Sequence, residues 1–116
     1  MARTTELSRK TKETDISVIL NNAIDNAIEG ASECENPWIK ILSYRKNNAY
    51  MIEIRNSVTG RRAVDEDSGL PHTTKEGEGH GFGLANIRKV AQRYYGDIAI
   101  EQKESEFVLV VMLIIE

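Results

Sequence analysis

Residues 15–32 read DISVILNNAIDNAIEGAS, and the periodicity of this stretch sets the fold. Ile16, Ile19, Leu20, Ala23, Ile24, Ala27, Ile28 and Ala31 recur at spacings of three and four, which puts them on one helical face. That face is expected to be core. A second stripe, Asn22, Asp25, Asn26 and Glu29, follows i, i+3, i+4 and i+7, so four oxygen-bearing side chains leave the same side of the helix. Asparagine and aspartate compete for backbone hydrogen bonds and lower helix propensity, so their pairing in mid-helix asks for a compensating role. Taken alone, the stripe fits either a polar face wetted by solvent or a row of oxygens offered to a hydrated magnesium ion. Thr14 or Asp15 is placed to cap the helix start, and Gly30 lies near its end.

The chain around this helix has 116 residues, enough for one domain with a real core. With 41% hydrophobic and 28% charged residues the balance is that of a globular protein and not a disordered one. A net charge of -3 without a Lys/Arg cluster argues against a nucleic-acid surface. The single cysteine, Cys34, excludes an internal disulfide, and two histidines leave no ligand set for a structural zinc. The longest apolar run, FVLVVMLII at residues 107–115, is about half of a membrane helix, and no signal-peptide pattern precedes the fold. A cytoplasmic location is expected, and a segment cut from a membrane protein would look the same.

Residues 1–13 form a polar lead-in or short edge strand with no assigned function. After the Asn36-Pro37 turn, residues 38–44 and 50–56 alternate apolar and polar around Lys46-Asn47-Asn48 and predict a β-hairpin ending at Asn56. Residues 57–80 hold four glycines, one proline and no sustained period, the composition of a long loop, and loops of this length are lids or binding segments or else disordered. Leu84, Ile87, Val90, Ala91 and Tyr94 restore helical spacing over residues 84–95, and Gly96 is placed to end that helix. Residues 97–102 and 107–115 close the chain as a second strand pair, the last run being apolar on both faces and so a central strand. Together these predict a two-layer α/β (α+β) sandwich over residues 14–116, with helices on one face of a mixed, mostly antiparallel sheet.

The glycines of Gly79-His80-Gly81-Phe82-Gly83-Leu84 alternate and run directly into the second helix. Such a loop brings backbone amides and a helix start close to an anion, so a phosphate fits there, although many glycine loops are only tight connections. The P-loop and the dinucleotide fingerprint both fail by spacing, and the protein-kinase loop motifs are absent. His72 and His80 fall on or beside the loop and read as solvated; Ser68 near His72 does not make a triad.

The asparagine helix, the strand ending at Asn56 and the GHGFGLANI segment together resemble, in order and spacing, the ATP-binding catalytic domain of sensor histidine kinases in the GHKL superfamily. The similarity is greatest to the peptide-quorum-sensing branch. The resemblance implies that Asn26 holds magnesium against the triphosphate and that Asn22 lies beside the phosphates. Asn56 then takes the place of the aspartate that accepts a bond from the adenine amine, and Gly60 is the last glycine of that motif. Gly79, His80, Gly81, Phe82, Gly83 and Leu84 correspond to the second glycine box at the edge of an ATP lid spanning about residues 57–80. Lys75 is a candidate charge for the phosphates and equally reads as a solvated lysine.

Two departures carry expectations. The adenine motif is Asn56-Ser57-Val58-Thr59-Gly60, with an amide for the carboxylate and Val58 for the first glycine, so weak nucleotide affinity is expected. Relatives that hydrolyse ATP have a water-activating glutamate where this chain has Asn22, so hydrolysis should be slow and the γ-phosphate kept for transfer. The phosphoacceptor histidine is expected on a separate dimerisation domain, with a response regulator downstream, leaving this domain a monomer with little turnover alone. The rivals are a stand-alone serine kinase of the anti-sigma-factor type and a degenerate nucleotide-binding module.

Overall fold

The computed structural model describes residues 13–64, 66–67, 69–71 and 83–114. Helix α1 (Glu13–Ala31) contains the expected amphipathic stretch. Its buried line runs through Ile19, Ala23, Ala27 and Ala31. Because three of these four are alanines, the helix can approach its neighbours closely, and the buried face is narrower than the sequence period suggests. Ile28, read as core, is 52% exposed.

Strands β1 (Ile39–Lys46) and β2 (Ala49–Ser57) form the expected hairpin around Asn47-Asn48. Asn47 has φ 58, the left-handed conformation that two-residue hairpin turns require and that asparagine tolerates. Strands β3 (Asp97–Gln102) and β4 (Glu106–Ile114) make the second pair. The sheet order is β1-β2-β4-β3, so β4 is internal as its two apolar faces predict. Every pairing among these four strands is antiparallel. The register sets Tyr50, Ile52, Ile54 and Asn56 of β2 opposite Leu113, Val111, Leu109 and Phe107 of β4. All eight side chains are buried, and they form the sheet's helix-facing side.

Helix α2 (Gly83–Arg93) adds Leu84, Ile87, Val90 and Ala91 to the same core. Its end differs from the sequence expectation. The left-handed residue is Tyr95, with φ 62, whose N–H donates to the Gln92 carbonyl, while the N–H of Gly96 donates to the Ala91 carbonyl. Gly96 is required for a different reason, since a Cβ there would lie 1.7 Å from the Met112 carbonyl oxygen. The chain after α2 presses directly onto β4, and Ile114 N–H donates to the Tyr94 carbonyl at 3.0 Å.

The capping expectation also changes. Thr14 and Asp15 lie inside α1, and the Asp15 carboxylate accepts from Arg93 Nη1 at 3.0 Å and from the Tyr94 hydroxyl. Burial against the end of α2 gives Asp15 two side-chain donors that outcompete its own helix amides. The acid in the first turn of α1 and the base in the last turn of α2 each complement a helix dipole. This latch aligns the two helices antiparallel, with Asn22 of α1 beside Gly83 at the other end of α2.

Gly96→Ala should therefore destabilise the fold in the upper part of the range of about 0.5–3 kcal/mol typical of single substitutions. Chemical denaturation of the variant checks this. Removing only the latch, with Asp15→Ala, should cost about 1 kcal/mol, because the Arg93 side chain is 58% exposed and water can replace the carboxylate.

Candidate functional site

The polar stripe of α1 meets the rest of the fold at three successive points. Between Asn22 and Gly30 the helix rises about 12 Å, and each point on that line brings a different element to it.

At the C-terminal point, Asn56 at the end of β2 is 1% exposed. Its Nδ2 donates to the Ser57 carbonyl at 2.9 Å, which turns Oδ1 away from that carbonyl. Asn56 Oδ1 is buried and accepts no hydrogen bond. An orphaned buried acceptor costs about 1–3 kcal/mol, so the site stands ready for a donor. Gly30 makes room for this amide: a Cβ there would lie 2.6 Å from Asn56 Nδ2 and 3.3 Å from Val58 Cγ1.

The backbone after Asn56 continues along the β3–β4 turn. Val58 N–H donates to the Ser105 carbonyl at 3.2 Å and Gly60 N–H to the Glu104 carbonyl at 2.8 Å. Gly60 has φ 94 with no neighbour near its missing side chain, so it serves the backbone turn and not a close contact. Arg62 is then clamped at both backbone atoms by Gln102, whose Oε1 accepts from Arg62 N–H at 3.0 Å and whose Nε2 donates to the Arg62 carbonyl at 3.1 Å.

Arg62 forms the middle point. Its guanidinium carbon lies 5.1 Å from the centroid of the Phe107 ring, a cation–π distance. Its Nη2 donates to Asn26 Oδ1 at 3.5 Å. Burial pushes the Arg62 pKa below its ordinary value, and the charge of Glu29, on the same stripe, acts in the opposite direction.

At the N-terminal point Asn22 Nδ2 donates to the Val18 carbonyl at 2.8 Å. Asn22 Oδ1 is directed at the start of α2, where a Cβ on Gly83 would lie 3.4 Å from it. Among the described residues the first turn of α2 carries no acidic side chain, an electrostatic setting that favours an anion. Leu84 is buried in the core, and Asp25 of the stripe is exposed.

Asn22, Asn26, Asn56 and Gly83 thus fall along one side of α1, while Gly60 is placed against the β3–β4 turn. Lys75, Gly79, His80, Gly81 and Phe82 lie outside the described residues, as do the lead-in up to residue 12, Ser68 and His72. The front of the loop assigned to a lid is fastened to the domain. Ser57 belongs to β2, Val64 bridges to Pro71, and Leu70 is part of the core. Sequence reasoning missed Arg62, Gly30 as the partner of Asn56, and Leu70. An apolar residue beside a proline in a polar loop was the available signal for Leu70. Among the described residues no cluster of three or more His, Cys, Asp or Glu side chains could hold a metal. An oxygen-only site for magnesium at Asn26 would share that oxygen with, or take it from, Arg62.

Residues 11–114 match the family model described as GHKL domain. The chain belongs to the GHKL domain family. Its fold is similar to that of the nucleotide-free catalytic domain of histidine kinase ThkA, with 27% identity and a TM-score of 0.69 over 90% of this chain and 69% of that one. The histidine kinase AdeS of Acinetobacter baumannii is 19% identical, with a TM-score of 0.69 over 99% of this chain and 60% of that one. The histidine kinase domain of the E. coli osmosensor EnvZ is 18% identical, with a TM-score of 0.53 over 85% of this chain and 65% of that one. At those identities AdeS and EnvZ support the fold alone. No curated protein matched. This GHKL domain is thus of the histidine-kinase catalytic type, and no helix among its described residues is long and apolar enough to cross a membrane.

Gly30→Ala should displace the Asn56 side chain while leaving the domain folded. The Asn56 side-chain amide resonances should move in a nitrogen–proton correlation spectrum, with a fall of several degrees in Tm.

Proposed function

We propose that this GHKL domain binds ATP with magnesium and donates the γ-phosphate to a histidine on a separate dimerisation and phosphoacceptor domain. The observation that carries this reading is the orphaned Asn56 Oδ1. A buried acceptor beside Gly30 of α1 would be completed by a ligand N–H, and the exocyclic amine of adenine has that chemistry. Guanine presents a carbonyl at the same position and would leave Asn56 facing a second acceptor.

From Asn56 the ligand would run along α1 toward Asn22, with its phosphates at the start of α2. There Gly83 and, in this reading, Gly79, His80, Gly81 and Phe82 supply backbone amides, with Lys75 as a further candidate charge. Leu84, beside Gly83, is itself part of the core. Asn26 would offer its oxygen to magnesium, which when bound neutralises phosphate charge. The 3.5 Å contact from Arg62 is at the outer limit of a hydrogen bond and is readily given up.

Asn22 is an amide and cannot act as a general base toward water. Its Nδ2 is committed to the Val18 carbonyl. Orientation of an acceptor side chain in line with the γ-phosphate would supply catalysis instead. In isolation the domain would bind nucleotide as a monomer and turn over little. In the whole protein we place it on the cytoplasmic side of a sensor of the peptide-quorum-sensing branch, acting through a response regulator. The NNAIDNAIEGAS sequence of α1 supports that branch.

Titration calorimetry with a non-hydrolysable ATP analogue tests the reading. Binding should be weaker without magnesium and lost in Asn26→Ala. Unchanged affinity in that variant would remove the magnesium assignment. The unmodified domain should favour ATP over GTP, and Asn56→Leu should abolish the preference. Equal binding of both nucleotides by the unmodified protein would refute the role of Asn56.

A further inference from the structure

We infer that Arg62 is a phosphate-binding residue of this site, parked on Asn26 until the nucleotide arrives. The inference rests on the nucleotide reading above and extends it to a residue outside its sequence motifs.

Arg62 lies midway along the line from Asn56 to Gly83. Gln102 fixes its backbone from both sides and Phe107 supports its guanidinium, so the side chain is delivered to this position before any ligand is present. A guanidinium has five N–H donors in a planar fork suited to phosphate oxygens. Among the described residues this one makes a single side-chain hydrogen bond, 3.5 Å long and to a neutral amide. This half-buried cation faces a neutral partner, and an anion offering two oxygens would give it shorter, charge-assisted bonds. Glu29 helps keep the group charged despite its burial.

Phosphate oxygens outcompete the Asn26 amide oxygen for this cation. Binding therefore draws the guanidinium off Asn26 and uncovers the oxygen assigned to magnesium. Asn26 would then be free to hold the metal while Arg62 holds phosphate oxygens.

The bland alternative is a structural role, in which Arg62 only staples the segment after β2 to α1. A ligand series separates the two. Titrations of the isotope-labelled domain with adenosine, ADP and a non-hydrolysable ATP analogue, with and without magnesium, give one affinity per ligand for the unmodified protein, Arg62→Gln and Arg62→Lys. Arg62→Gln should weaken the ATP analogue tenfold or more while adenosine stays within twofold of the unmodified protein. Arg62→Lys, which keeps the stem and the charge but loses the fork, should fall between. If Arg62→Gln does not fold, Arg62→Lys decides on the same criterion, a loss for the analogue that exceeds the loss for adenosine.

Two results overturn the inference: analogue affinity within twofold of the unmodified protein, or adenosine weakened by the same factor as the analogue. Failure of the underlying reading looks different. In that case the unmodified domain binds none of the three ligands, or Asn56→Leu leaves adenosine binding intact.

Discussion

The closeness of α1 to the end of β2 is the constraint on which the site depends, because a Cβ on Gly30 would lie 2.6 Å from the Asn56 amide. The alanines at positions 23, 27 and 31 keep the buried line of the helix shallow, and Gly30 removes the last obstacle. Asn56 can then sit in the interior with one end of its amide bonded to the Ser57 carbonyl and the other unmet. A bulkier seam would hold the helix farther off and leave that oxygen to water.

Electrostatics arrange the other end of the same helix. The latch from Asp15 to Arg93 and Tyr94 joins the first turn of α1 to the last residues of α2 and fixes the antiparallel alignment. That alignment sets Gly83 beside Asn22, so a helix N-terminus opens next to the polar stripe. Packing positions the orphaned acceptor and the latch positions the start of α2. Between them Arg62 adds a cation whose backbone is held by the side chain of Gln102.

Much of this was legible because it is local. The period of residues 15–32 gave the helix and its two stripes, alternation gave the hairpin ending at Asn56, and the two-sided apolar run gave the central strand. What escaped depends on contacts between residues far apart in sequence. Asp15 carries every mark of a helix cap, and only the return of α2 supplies Arg93 and Tyr94 as stronger partners. Gly96 is a plausible helix stop until the backbone of β4 is seen against it, with Tyr95 taking the left-handed conformation. Arg61 and Arg62 are adjacent and chemically identical, and the second is distinguished by contacts distant in sequence, with Gln102, Phe107 and Asn26. Leu70 was lost in a polar loop because a single apolar residue has no period.

The central claim is that the orphaned oxygen of Asn56 is an adenine acceptor. A crystal structure of the domain with an ATP analogue tests it most directly. The exocyclic amine of adenine should lie at hydrogen-bonding distance, about 2.7–3.2 Å, from Asn56 Oδ1, with the phosphates toward Gly83. An adenine bound elsewhere, with Asn56 Oδ1 still unpartnered or satisfied by a protein donor, would contradict it.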